Sequence, residues 1–200
     1  MAFLSDAALR SVGFGKLGRE VRVSDRASVY NPACITLGDH ARVDDFSILS
    51  AGPEGIEIGR FVHVACHCSI QGAGRVVLDD FAGLSSHSAI YSSTDDFSGG
   101  SMTGPTVDDR YRNVTTAAVT IGRHVIIGAG TVILPGVTVA TGAAVGAQSL
   151  VVEDCEEFWL YGGIPARKLK ERRRDLLRLE QEFLSGGTSI HSDVPRAGPR

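Results

Sequence analysis

The sequence has few aromatic residues, few cysteines and no long hydrophobic run. Trp, Tyr and Phe together make up only 6% of its 200 residues. The four cysteines, at positions 34, 66, 68 and 155, lack the spacing of a disulfide framework, and no signal-like apolar stretch follows the N-terminal methionine. We therefore expect a protein of the reducing cytoplasm. The apolar runs are far shorter than the roughly 20 residues of a membrane span, so we expect no integral membrane segment.

The chain also lacks a strong charge of either sign. The formal net charge is −3 and the calculated pI is about 6.1, so there is no overall basic field to attract nucleic acid. Basic residues cluster only near the C-terminus. The apolar fraction of 43% is enough to form the core of one domain of ordinary size.

A repeat of six residues is the dominant pattern in the sequence. Each repeat begins with an aliphatic residue and has a small or β-branched residue at its fifth position. Neither an α-helix, with period 3.6, nor an ordinary strand, with period 2, produces a period of six. Six consecutive repeats begin at Ile121, Ile127, Ile133, Val139, Val145 and Val151. The period predicts an all-β solenoid that turns a corner every six residues.

Earlier repeats form groups of three, each about eighteen residues long, with two or three extra residues between groups. Glycine at the second position, as in Gly38 and Gly128, fits corners where a side chain would crowd the next coil. We predict an N-terminal cap over residues 1–16, a β-helix over 17–155, a C-terminal segment and helix over 156–184 and a flexible tail over 185–200.

Residues 95–118 contain no aliphatic repeat. They form a predicted excursion loop, and loops of this length are usually functional or disordered. We expect this loop to be ordered against a neighbouring subunit. After the last repeat, Pro165 to about Leu184 is predicted to be a helix with Leu169, Leu176, Leu177 and Phe183 on its apolar side.

Three segments together resemble a known family. They are the run from Val119 to Val137, which contains Pro135-Gly136-Val137; the Val-Gly-Ala-x-Ser motif starting at Val145; and the Gly-x-Pro-Ala-Arg motif starting at Gly163. At these separations, they resemble the hexapeptide-repeat acyltransferases, which are left-handed parallel β-helix enzymes that use acetyl-CoA. The likeness extends over roughly residues 17–175 and includes sugar O- and N-acetyltransferases of bacterial surface-polysaccharide pathways.

The resemblance implies a homotrimer with an active site in each cleft between neighbouring subunits. It also implies that acetyl-CoA is the co-substrate and that its pantetheine arm follows the C-terminal coils. The positions that match the family's small-residue corners are Gly128, Ala129, Ala147 and Ser149. The basic residues that follow, Arg167, Lys168 and Lys170, are expected to meet the CoA phosphates; a solvated surface is an equally good interpretation of each one taken alone.

Acyl transfer needs a base for the acceptor proton, and histidine is the natural base near neutral pH. We interpret His40 and His124 as surface or corner residues, and His191 lies in the tail. His63, His67 and His87 remain. The repeat places His67 and His87 at the same position of successive coils, so their backbones are expected to lie roughly 5 Å apart. We select His87 as the base because it precedes the loop, with Asp95 or Asp96 orienting it.

The sequence departs from the family at one important position. The family's sugar acetyltransferases have a segment of the type Ile-Tyr-Thr-Ala-Thr-His, and alignment with Ile90 to Asp95 places Asp95 where their catalytic histidine stands. Three alternatives remain, in order of preference: His87 is the base with Asp95 as its partner, the aspartate acts alone, or the protein is not catalytic. An ordinary aspartate, with a pKa near 4, is a poor proton acceptor for a sugar hydroxyl.

Two other functional classes share this fold. A zinc enzyme similar to the γ-class carbonic anhydrases would use His63, His67 and His87, with Cys66 and Cys68 nearby; the chain lacks that family's second histidine pair around Gly128 to Leu134, so we expect no metal. A non-catalytic β-helix scaffold would bind no CoA. We favour an acetyl-CoA-dependent acetyltransferase acting on a hydroxyl or amine of a sugar or nucleotide-linked sugar, in lipopolysaccharide biosynthesis.

Overall fold

The computed structural model describes residues 2–186, and they form a parallel β-solenoid with three flat faces. The predicted β-helix is therefore confirmed. The strands of face 1 are Lys16–Leu17, Ile35–Leu37, Ile56–Ile58, Val76–Leu78, Val119–Ile121 and Thr138–Val139. The strands of face 2 are Arg22–Val23, Arg42–Val43, His63–Val64, Gly83–Leu84, Ile126–Ile127, Ala144–Val145 and Trp159–Gly162. The strands of face 3 are Ser28–Tyr30, Ile48–Ala51, Ser69–Gly72, Ala89–Tyr91, Val132–Ile133 and Leu150–Val151.

The core is a stack of inward-pointing aliphatic and small side chains. The first residue of each repeat points inward, so residues such as Ile70, Ile90 and Ile133 are completely buried. The fifth residues Ser47 and Thr131 are also buried, and their hydroxyls donate hydrogen bonds to the backbone carbonyls of Ala65 and Gly146. These hydrogen bonds remove the cost of burying a hydroxyl group.

Tight corners join the three faces. We call the corner between faces 1 and 2 corner A, that between faces 2 and 3 corner B, and that between faces 3 and 1 corner C. A Cβ added to Gly38 would lie 2.6 Å from a backbone atom of the next coil, and one added to Gly128 would lie 2.4 Å from such an atom. The repeat predicts this crowding at both corners. The coils therefore stack closely only because these positions have no side chain.

Many corner residues that are not glycine have positive φ. They include His40, Phe61, Phe81 and His124 at corner A, and Phe46, His67 and His87 at corner B. This conformation costs an L-residue about 1–2 kcal/mol, and ring stacking between successive coils offsets part of that cost. The histidines predicted only as surface residues thus belong to ordered columns.

The excursion loop leaves face 3 after Tyr91 and returns before Val119. Its base is a short antiparallel ladder in which Ser93–Thr94 pairs with Thr115–Thr116, and a 3-10 helix spans Asp109–Tyr111. Phe97 at its tip is 92% exposed. The loop thus has a fixed base on the solenoid and an exposed apolar side chain.

The two ends of the solenoid are covered differently. Helix α1, Asp6–Ser11, lies at the N-terminal end, where the Ser5 hydroxyl accepts a hydrogen bond from the Ala8 amide. Helix α2, Asp175–Ser185, packs on corner A. Neither helix among residues 2–186 is long and apolar enough to cross a membrane. The predicted tail over 185–200 lies outside the described residues from position 187 onward.

The predicted helix over Pro165 to Leu184 is wrong in its first half. Arg167–Glu171 is a strand that pairs antiparallel with Trp159–Gly162, and Leu169 is 60% exposed instead of lying on an apolar helix face. The pairing satisfies the backbone groups at the open end of face 2, which an adjacent helix would leave unpaired.

Candidate active site

A column of residues, several of them with stacked side chains, runs along corner B. Its members occupy the same corner position in successive coils and are Arg26, Phe46, His67, His87, Gly130 and Gln148. The imidazoles of His67 and His87 are stacked with ring centroids 4.7 Å apart and planes 3° apart. The expected stacking of these two histidines is confirmed, and His87 is exposed at the surface.

The structure does not bring the two aspartates to His87 in the way that we expected. The Asp96 carboxylate accepts hydrogen bonds from the Ser98 amide at 2.7 Å and from the Ser101 hydroxyl at 2.7 Å. Hydrogen bonds from the side chains of Ser98 and Ser101 lower the pKa of Asp96 to about 2. Within residues 2–186, neither Asp95 nor Asp96 is hydrogen-bonded to His87. The reason is topological: the loop starts at corner C, one full face away from corner B.

Asp95 instead lines an open cavity of about 580 Å³ at corner C. The cavity lies between the outer surface of face 3 and the loop, and polar side chains of face 3, Ser50, Gln71 and Tyr91, form one wall. Pro105 contributes from the loop. A carboxylate in a cavity of this size, opposite polar side chains of face 3, is suited to a ligand that carries an amine or hydroxyl groups.

The positions expected to bind CoA divide into three groups. Gly128, Ala129 and Ala147 lie at corner B in the two coils that follow His87; Gly128 and Ala129 are half-buried, and Ala147 is exposed. Ser149 is 3% exposed, and its hydroxyl donates to the Gly146 carbonyl at 2.7 Å. As a fifth-position residue it points into the core, which blocks direct contact with a ligand.

The three basic positions all lie on the exposed strand Arg167–Glu171. The Lys168 ammonium is 2.7 Å from Glu156 and lies over the Trp159 ring, 3.9 Å from its centroid. Arg167 Nη1 is 3.6 Å from a carboxylate oxygen of Glu153. Lys170 is exposed on the same strand. These cations are on the surface and remain accessible to a phosphate.

His124 is not the plain surface residue that we expected. Its Nε2 is 2.7 Å from a carboxylate oxygen of Glu180 on α2, and its side chain is 11% exposed. Burial lowers its pKa, with further lowering by Arg123 and Arg172. His124 therefore helps to hold α2 on corner A.

His63 is held in a different network. Its Nε2 is 2.8 Å from the Asp44 carboxylate, which also accepts a hydrogen bond from Arg42 Nε at 2.6 Å. Burial acts to raise the pKa of Asp44, but the hydrogen bonds from Arg42 and His63 bring the net result below the usual value. No group of three or more histidine, cysteine or acidic residues in the described range 2–186 is arranged to hold a metal ion.

Sequence reasoning missed the polar wall of the Asp95 cavity. Gln71 and Tyr91 point outward from face 3 because alternate strand residues point to opposite sides, and the repeat could have identified both. Their relation to the loop could not be read from the repeat, because the path of the loop has no periodic signal.

The comparisons with known proteins agree with the fold over nearly the whole chain. No protein-family model matches. The chain is 45% identical, over 183 residues, to the dTDP-4-amino-4,6-dideoxy-D-glucose acyltransferase of Escherichia coli, covering 92% of this chain and 95% of that protein. A maltose O-acetyltransferase from Clostridium difficile 630 is 21% identical in sequence and has a TM-score of 0.52. The match covers 84% of this chain and 75% of that chain, and the likeness concerns the fold alone.

The chain is also similar to AntD, an N-acyltransferase from Bacillus cereus solved in complex with dTDP and 3-hydroxybutyryl-CoA. The identity is 41% and the TM-score 0.89, over 92% of this chain and 97% of that chain. Further structures of AntD carry a substitution at an aspartate or at a serine ten positions before it. The extent of these similarities and the repeat architecture place this chain in the hexapeptide-repeat β-helix acyltransferase family, and the protein is an acyltransferase.

Proposed function

We propose that this acyltransferase transfers an acyl group from acyl-CoA to the amine of dTDP-4-amino-4,6-dideoxyglucose. The observation that carries this proposal is the 45% identity, over 92% of the chain, to an enzyme named for that nucleotide sugar. The Asp95 carboxylate and the polar side chains of its cavity are consistent with an aminosugar acceptor. From the sequence, we expect the acceptor group to be a hydroxyl or an amine of a sugar; we now propose an amine. Acetyl remains our predicted acyl group.

The reaction needs one base and no covalent enzyme intermediate. The neutral amine nitrogen attacks the thioester carbonyl carbon, the carbon–sulfur bond breaks, and the sulfur leaves as the CoA thiolate. We assign the amine proton to His87, which then supplies a proton to the thiolate. The exposed position of His87 at corner B, one coil from Gly128 and Ala129, supports this role.

We assign Asp95 a different task from the one expected from the sequence. Its carboxylate lines the cavity at corner C and is suited to hold the acceptor as an ammonium, which loses its extra proton to solvent before the neutral amine attacks. The serine and aspartate substituted in AntD are ten positions apart, and Ser85 with Asp95 and Ser86 with Asp96 have this spacing. Both pairs fit the spacing, but Ser86 Oγ is 3.2 Å from Cys66 Sγ and Asp96 is hydrogen-bonded within its loop. These contacts occupy the second pair and therefore favour Ser85 and Asp95.

We propose that the donor lies along the C-terminal coils. Gly128, Ala129 and Ala147 would accommodate the pantetheine arm, and Arg167, Lys168 and Lys170 would contact the phosphates. We further propose a trimer, because corners B and C of one chain are a whole face apart and a second chain can complete the cleft. We also propose that the protein is cytoplasmic and acts in surface-polysaccharide synthesis. The four free cysteines are consistent with a reducing compartment.

The test is acyl transfer by the purified protein. Acetyl-CoA and 3-hydroxybutyryl-CoA are each mixed with dTDP-4-amino-4,6-dideoxyglucose, thiol release is followed, and the product mass is measured. We expect thiol release to depend on the aminosugar and the product to be its amide. Galactosides and chloramphenicol, which offer hydroxyl groups, serve as controls; turnover with these acceptors only would contradict the proposal.

A further inference from the structure

The corner-B column continues beyond His87 in an unusual way. The Gly130 amide donates to the Ser86 carbonyl at 3.0 Å, and the Gln148 amide donates to the Ala129 carbonyl at 2.8 Å. These hydrogen bonds place Gly130 one coil after His87, and Gln148 one coil further. Neighbouring parallel strands are about 4.8 Å apart, so Gly130 occupies the level directly next to the imidazole of His87.

The side chain of Gln148 fills the place that Gly130 leaves empty. A Cβ added to Gly130 would lie 2.1 Å from Gln148 Nε2, and Gly130 has φ of +71°. The glutamine therefore folds back by one coil, toward His87, instead of extending away from the corner. Glycine at position 130 is what makes room for this amide.

The Gln148 amide is not used to hold the fold together. Within residues 2–186 its side chain makes no hydrogen bond, and the residue is exposed. Its neighbour in sequence is Ala147, one of the positions assigned to the pantetheine arm. An exposed amide with two free N–H donors thus lies on the assigned path of the donor, at the level next to the assigned base.

We infer that Gln148 is a further catalytic residue, whose Nε2 donates a hydrogen bond to the acyl carbonyl oxygen of the CoA thioester. This inference rests on the proposed acyl transfer. When the amine attacks, the carbonyl oxygen gains negative charge, and a donor already in position stabilises that charge more than it stabilises the bound thioester. The base and the oxyanion donor would then lie in one column, on consecutive levels of the same corner.

Gln148→Met is the decisive variant. Methionine has a similar length and can cover Gly130, but it has no N–H group. We expect kcat for acetyl transfer to the aminosugar to fall about 10²-fold, the usual range for loss of one such donor, while the Kd for CoA stays within about threefold. Gln148→Ala is expected to give the same loss. Gln181→Met, the same substitution at an exposed glutamine on α2, is the matched control and should leave the kinetics unchanged.

The possible outcomes separate the inference from the function on which it rests. If the wild-type protein transfers acyl groups and Gln148→Met keeps its kcat, the amide only packs over Gly130 and the inference is wrong. Weaker binding of CoA with an unchanged kcat would also overturn the inference, because the Gln148 contact would then stabilise bound CoA and not the transition state. If the wild-type protein itself releases no thiol with the aminosugar, the proposed function fails, and the catalytic role of Gln148 fails with it.

Discussion

At the scale of single residues, the side chains of two adjacent aspartates in the loop have different surroundings. Asp95 lines the cavity at corner C, whereas Asp96 is bound to Ser98 and Ser101. The sequence pairs the two aspartates as equal partners for His87. Their roles could not be separated from sequence because the direction of each side chain depends on a loop without periodicity.

This difference predicts unequal effects of the same substitution. Asp95→Asn removes the charge that we propose holds the acceptor ammonium, and a hydrogen bond to a charged group contributes about 1.5–3 kcal/mol. We therefore expect kcat/KM for the aminosugar to fall about 10- to 100-fold. Asp96→Asn keeps an oxygen that accepts from the Ser98 amide, and its amide nitrogen can donate to the Ser101 hydroxyl, so it should change kcat/KM less than about threefold. Equal losses in steady-state kinetics would show that Asp95 has no special contact with the acceptor.

His87 and His67 provide a second matched pair. They share corner, backbone conformation and ring stack, but only His87 adjoins the coils assigned to the donor. His87→Ala should lower turnover about 10²-fold or more and leave the Kd for CoA near normal, whereas His67→Ala should mainly affect stability. Turnover that survives in His87→Ala and disappears in His67→Ala would reverse the assignment.

At the scale of elements, the regular part of the solenoid was predictable and its edges were not. The period of six places Ile90 and Ile133 in the core, and both are completely buried. The strand Arg167–Glu171 escaped prediction because it forms through pairing with Trp159–Gly162. The partner strand is close in sequence, with only residues 163–166 between the two, but the six-residue repeat ends before both strands and β-propensity alone does not predict such a pairing.

Helix α2 illustrates the same limit. Its position depends on Glu180, which is buried against His124 and Arg123 of corner A, and on Phe183, which contacts the rings of Phe61 and Phe81. Those partners are 56 to 122 residues earlier in the chain. The sequence suggests a helix, but only the fold shows that the corner-A column provides its docking surface.

At the scale of the whole molecule, the distance between corners B and C favours an active site shared by two chains. The assigned base and donor path belong to corner B, while the acceptor cavity belongs to corner C. One chain has the two parts on opposite edges of face 3. Exposed apolar side chains on this face, Tyr30 and Ile48, and at the loop tip, Phe97, provide surface that another subunit would cover.

We therefore predict a trimer that packs through face 3. Light scattering should give three times the chain mass of 21.1 kDa. Ile48→Asp places a charge in the interface and should dissociate the trimer and remove most of the activity, since an isolated chain cannot bring corners B and C together. Ile126→Asp, at a similarly exposed isoleucine on face 2, should remain trimeric. If Ile126→Asp dissociates and Ile48→Asp does not, face 2 forms the interface; a fully active monomer would show that one chain holds the complete site.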